Sequence, residues 1–216
     1  MGIDKAYKLY VFDLDGTLVD TRTDIARALE IALSEAGYDV PSHEQVVSVI
    51  GGGSVNAVRQ LTGLEGDDLA PHLARFMACY DEVCSDNTTV YDGGYALLER
   101  LRDSGAVLAL VTMKSKTPTH KILKRHKLDM FDTVITFDDV EKRKPEPDSF
   151  LKLLDKYGVG ASNALMIGDT VTDMRYAKAA GVDVCAMTYG YGITKEVLAE
   201  QPEYVLDSLL DFCESK

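Results

Sequence analysis

Asp13 and Asp15 stand one residue apart in VFDLDGTLVD (Val11 to Asp20), at the end of the apolar run Leu9–Phe12. Another acidic pair, Asp169 and Asp173, follows a second apolar run in ALMIGDTVTDM (Ala164 to Met174). Clustered carboxylates repel: two unit charges about 4 Å apart cost roughly 4 kcal/mol at an effective dielectric of 20. A hard cation with oxygen ligands relieves that repulsion. Mg²⁺, which takes a few carboxylates with waters and a substrate phosphate, fits best. Lys144, just before Pro145, offers a fixed positive charge, and Thr112, at the end of VLALVT, a hydroxyl donor for a phosphate oxygen.

Each of these residues also has an ordinary explanation. Asp13 and Asp15 suit a turn, Asp169 a helix N-cap and Asp173 the first turn of a helix. Lys144 closes a charged run, Glu141 to Lys144, of the kind that faces solvent; Lys142 and Arg143 are left to solvent. Arg59 is read as facing water, and His43, His72, His120 and His126 have no metal-pair spacing.

The elements that must hold these groups alternate. Short apolar runs at Leu9–Phe12, Ala106–Thr112, Thr133–Thr136, Ala164–Ile167 and Val182–Met187 read as strands. Helical stretches at Gly93–Asp103, Thr117–Lys127, Pro147–Tyr157 and Thr172–Ala180 separate them. The pattern predicts an α/β fold, a Rossmann-like parallel sheet flanked by helices. Ligands of such sheets bind beyond the carboxyl ends of the strands, where Asp13, Thr112 and Asp169 fall. Residues 21–87 break the alternation: Ile25, Leu29, Ala32 and Leu33, then Leu69, Leu73, Phe76, Met77 and Tyr80, recur at helical spacing. The expected organisation is an α/β core of residues 1–20 and 88–216, with an inserted α-helical cap domain at 21–87.

D-x-D-G-T at Asp13 to Thr17, Thr112 at a strand end, Lys144 before a proline and G-D-x-x-x-D at Gly168 to Asp173 resemble the four motifs of the haloacid dehalogenase superfamily, phosphatase branch. Ala179-Ala180-Gly181, Tyr189 to Gly192, and the Gly51–Gly53 turn before Ser54 to Leu61 resemble its phosphoglycolate phosphatase group. The resemblance implies hydrolysis of a small phosphorylated metabolite, phosphoglycolate being the first guess. It makes Asp13 the nucleophile, Asp15 the acid/base, and Thr112 and Lys144 the holders of the phosphoryl group. It also implies a Mg²⁺ site of Asp13, Asp169, the Asp15 backbone carbonyl and Asp173 in support. Met113 departs from the pattern, since many relatives carry Asn there. A β-phosphoglucomutase-like sugar phosphomutase, a pyrophosphatase and a phospho-accepting binding module remain alternatives. Haloacid dehalogenation is disfavoured, because that chemistry needs neither Mg²⁺ nor an acid at position 15.

Composition narrows the partners. The 216 residues are 46% apolar, enough for a real core. A net charge of −12 argues against nucleic acid or an anionic membrane as partner. Cys79, Cys84, Cys185 and Cys213 show no C-x-x-C pairing, and the N-terminus has no run long enough for a signal or a membrane span. A cytoplasmic protein is expected; the sequence does not give its oligomeric state.

Overall fold

The computed structural model describes residues 3, 5–50 and 53–213. Strand β1 (Leu9–Phe12) is followed by the short β2 (Val19–Asp20) and then by four helices: α1 (Arg22–Glu35), α2 (His43–Ser48), α3 (Ser54–Thr62) and α4 (Leu69–Val83). Strand β3 (Thr89–Val90) pairs antiparallel with β2 and returns the chain to its α/β alternation. The alternation runs α5 (Gly94–Asp103), β4 (Val107–Val111), α6 (Lys116–Arg125), β5 (Thr133–Ile135), α7 (Asp148–Tyr157), β6 (Ala164–Gly168), α8 (Val171–Ala180) and β7 (Asp183–Met187). Helix α9 (Thr194–Ala199) and strand β8 (Tyr204–Leu206) complete it.

The main sheet has the order β5-β4-β1-β6-β7-β8, and each of its pairings is parallel. Side chains of a strand point alternately to its two faces, and here both faces are buried. Tyr10 and Phe12 of β1 pack with Leu108, Leu110, Leu165 and Ile167 under Leu97 and Leu98 of α5 and Ile122 of α6. Leu9 and Val11 pack with Ala109, Val111, Ala164 and Met166 under Phe150 of α7 and Met174 and Tyr176 of α8. The fully apolar β1 follows from this central position.

Strand β1 is also the point from which the chain runs outward in both directions, to β4 on one side and β6 on the other. A crevice opens at such a reversal, beyond the carboxyl ends of the strands. Helices α1 to α4 have a core of their own, in which Leu29 and Ala32 of α1 meet Val58 of α3 and Phe76 and Tyr80 of α4. Gly51 and Gly52 of the glycine turn lie outside the described residues. Among those described, no helix is long and apolar enough to cross a membrane.

Candidate active site

Asp13 is the first residue beyond β1, and its N–H donates to the Ile167 carbonyl of the neighbouring β6 at 2.9 Å. Asp169 follows β6 and Thr112 follows β4, so three adjacent parallel strands deliver their next residues to one sheet edge. The chain must then turn sharply away from β1. Gly16 does so at φ +79°, a left-handed conformation that favours glycine, and a Cβ there would meet the Asp169 carboxylate.

Carboxylate oxygens of Asp13, Asp169 and Asp173 lie within 4.8 Å of one another, and all three residues are buried. Lys144, itself buried, donates from Nζ to Asp13 Oδ1 and to Asp173 Oδ1, each at 2.7 Å. The other Asp173 oxygen accepts from the N–H of Thr170 at 3.0 Å and from its hydroxyl at 2.6 Å, in the capping box that starts α8. Asp173 therefore does two jobs: it caps a helix and fixes a lysine. The Asp169 carboxylate accepts from the Thr17 hydroxyl at 2.9 Å and the Tyr191 N–H at 2.6 Å. Gly190 and Gly192 let the loop after β7 close over it, since a Cβ at either position would collide with Asp169.

One ammonium among three buried carboxylates leaves the cluster short of positive charge. Burial, reinforced by Asp173, Asp169 and Asp15, holds the Asp13 carboxyl well above the usual carboxylate range against the pull of Lys144. Burial and the neighbouring Asp173 push Asp169 up to about 7, although Tyr191, Thr17 and Gly192 donate to its charged form. Burial by itself would lower Lys144, but Asp13 and Asp173 outweigh it and keep the ammonium charged. The donor set is all oxygen and deficient in charge, which suits a hard divalent cation such as Mg²⁺. Both oxygens of Asp173 have partners, one of them the Lys144 ammonium; both oxygens of Asp169 have partners too, but only neutral donors, so its charge is not matched by a cation of the protein.

The Asp15 carboxylate lies outside this cluster. Its Oδ1 accepts from the Thr21 hydroxyl at 2.7 Å and sits 3.0 Å from Lys114 Nζ. Thr112 is buried, and its Oγ1 accepts from the Lys114 N–H at 3.1 Å, which leaves the hydroxyl proton to donate. Asp13, Asp15, Thr112 and Lys144 line one cavity of about 370 Å³ together with Lys114, Thr170 and Tyr191. Its far wall is apolar: Ile25, Ile50, Ala57, Phe76 and Met77, all from the helical segment. Met113 lines it too and is 45% exposed. Arg59 is exposed, as is Lys142, paired with Asp148 at 3.0 Å.

Four residues here carried no signal of their own in the sequence. Thr17 lies within D-x-D-G-T, but its bond to Asp169 spans 152 positions. Lys114 is one lysine among the basic residues around it, Tyr191 part of an aromatic-glycine repeat, and Tyr80 a core position on α4. Tyr191 reaches furthest. Its N–H holds Asp169, while its hydroxyl accepts from the Thr21 N–H at 2.6 Å, at the start of α1.

Comparison with known proteins gives a consistent result. The family model for haloacid dehalogenase-like hydrolases matches residues 10–187. A phosphoglycolate phosphatase of Aliivibrio fischeri is 36% identical over 209 residues, which cover 93% of this chain and 92% of that protein. One from Pseudomonas savastanoi pv. phaseolicola is 34% identical over 213 residues, covering 95% and 78% respectively. The crystal structure of a predicted phosphoglycolate phosphatase from Haemophilus somnus superposes with a TM-score of 0.88 at 29% identity, covering 96% of this chain and 97% of that one.

Proposed function

The chain belongs to the haloacid dehalogenase-like hydrolases, and from that premise we propose that it is a Mg²⁺-dependent phosphatase of a small phosphomonoester, with phosphoglycolate the first candidate. One observation carries the reading: Lys144 bridges Asp13 and Asp173 in the wall of a cavity that Asp15 and Thr112 also line. The names of the relatives support the choice of phosphoglycolate.

In this mechanism a carboxylate oxygen of Asp13 attacks phosphorus, forming an O–P bond as the P–O bond to the ester oxygen breaks. Asp15 gives its proton to the departing alkoxide. Water then attacks phosphorus and loses a proton to Asp15, which releases phosphate and restores the Asp13 carboxylate. Thr112 donates its hydroxyl proton to a phosphoryl oxygen, and Lys144 holds the developing charge. Asp13, Asp169 and the Asp15 backbone carbonyl would hold Mg²⁺, which would supply the positive charge that lets the anionic Asp13 approach an anionic phosphate. Asp173 supports the site by keeping Lys144 in place.

Residues 21–87 act as a helical cap over a core of residues 1–20 and 88–216. The separate helical core and its apolar contribution to the cavity support that division. Opening and closing about the connections near Asp20 and Tyr91 admits substrate and excludes bulk water. The cytoplasm is the proposed location: Cys79, Cys84 and Cys185 are free, buried thiols, as in a reducing compartment.

The test is a phosphate-release screen with and without Mg²⁺ over phosphoglycolate, sugar phosphates, nucleotides and pyrophosphate, with Asp13→Asn as control. Mg²⁺-dependent release that collapses in the control supports the phosphatase. Release from pyrophosphate alone favours that alternative. No release, followed by sugar-phosphate isomerisation once a bisphosphate activator is added, favours a mutase.

A further inference from the structure

Two buried ammonium groups line the cavity, and each has a donor to spare. Lys144 gives N–H bonds to Asp13 and Asp173. Lys114, whose side chain is only 6% exposed, donates to the Tyr80 hydroxyl at 2.7 Å and pairs with Asp15 at 3.0 Å. An ammonium carries three donors. One N–H of Lys114 is therefore without a partner among the described residues. Lys114 lines the cavity, so this donor is available to a group bound there. The mechanism assigns Lys144 to the phosphoryl group, while Lys114 holds Asp15 with one part of its ammonium and turns another to the cavity.

Its surroundings limit what it can meet. The Lys114 N–H is bonded to the Thr112 hydroxyl oxygen, and its ammonium lies 4.3 Å from the Tyr80 ring centroid, so both ends of the residue are held. Thr112 faces the phosphoryl group and Asp15 the ester oxygen, which sets Lys114 beside the scissile bond. Among the described lining residues, charge is confined to Asp13, Asp15, Lys114 and Lys144. A remote anionic group, such as the second phosphate of a sugar bisphosphate, would face the apolar wall of Ile25, Phe76 and Met77 without a counter-charge.

We infer that Lys114 receives a second anionic group of the substrate, a carboxylate on the carbon bonded to the ester oxygen. The substrates favoured by this site are then short 2-phosphooxy carboxylates, and Lys114 is the residue that selects them. The inference rests on the phosphatase reading for the position of the ester oxygen.

The test compares phosphoglycolate with ethyl phosphate, which has the same two-carbon frame without the carboxylate. Both are measured on the wild type, Lys114→Met and Lys114→Gln, with folding checked by circular dichroism; the Gln variant serves if Met does not fold. Loss of the Asp15 pair lowers turnover of both substrates. The preference for phosphoglycolate, as a ratio of kcat/KM values, should fall about thirtyfold, mostly through KM, the size expected for one hydrogen bond to a charged group. Calorimetric binding of phosphoglycolate to Asp13→Asn in Mg²⁺, with and without the Lys114 change, gives a readout that needs no turnover. Turnover with an unchanged ratio overturns the inference and leaves the phosphatase standing. Lys114-dependent binding without turnover in the wild type sustains the inference and removes the phosphatase. Binding that ignores Lys114, or no binding at all, overturns the inference.

Discussion

Asp24 Oδ2 accepts hydrogen bonds from both the N–H of Thr88, at 2.7 Å, and its hydroxyl, at 2.8 Å. The same carboxylate accepts from the N–H and side-chain amide of Asn87. A fully buried acid near the start of α1 thus ties down the chain where it leaves α4. Asp24→Ala strands several buried donors and should lower stability by about 2–4 kcal/mol in urea unfolding. A loss below about 1 kcal/mol would show that this junction is not held by the carboxylate.

Asp13→Asn should reduce turnover at least about a thousandfold, because an amide cannot form the phospho-enzyme bond. Its circular dichroism should match the wild type. Near-normal phosphate release from this variant removes Asp13 as the nucleophile.

Asp15→Asn separates acid catalysis from the rest of the chemistry. The rate on alkyl phosphates should fall at least about tenfold more than the rate on p-nitrophenyl phosphate, whose leaving group needs no proton. Equal losses on the two substrates would exclude the acid role.

In the proposed metal site, loading and pH would be linked through Asp169. Its carboxyl, raised to about 7, keeps in the metal-free native state a proton that the unfolded chain has already lost. The contribution of this group to stability therefore falls as pH rises from the ordinary carboxylate range toward 7, and is level above it. A cation competes with that proton. Mg²⁺ affinity, measured by calorimetry, should weaken as pH falls below about 7 and release protons in that range. Protons released equally at about pH 6 and about pH 8 would contradict this.

Gly190→Ala forces a methyl into the Asp169 side chain. Overpacking of this kind costs about 1–3 kcal/mol. The expected result is a weaker Mg²⁺ site and activity down at least about tenfold, with a melting temperature lowered by only a few degrees. Wild-type Mg²⁺ affinity in this variant would mean that the loop yields instead of Asp169.

The α/β core is legible in the sequence because its strands are buried on both faces and read as unbroken apolar runs; β1 spans Leu9–Phe12 in either view. The β2–β3 pair escapes because each strand is only two residues long, leaving no periodicity to detect; β8, as short as the legible β5, lies at the sheet edge in a polar stretch. In the site, Asp13, Lys144, Asp169 and Asp173 come together as residue types with an evident electrostatic need for one another. Lys114 and Asp24 do not announce themselves, and Tyr191 shows only as part of the Tyr189 to Gly192 motif, without its role. Their importance lies in partners that only folding brings near, and the hydrogen bond from Thr21 to Tyr191 spans 170 positions.

Tyr191 holds Asp169 through its backbone and meets Thr21 through its hydroxyl. A rotation of α1–α4 about the linkers moves atoms near the fulcrum least and those at the tip of the lever most. Thr21, next to the proposed linker at Asp20, would sit at the fulcrum. In the proposed opening and closing, the tyrosine would keep its grip on both sides while Ile50 and Met77 swing away from the cavity, and the carboxylates proposed to hold the cation would stay in register.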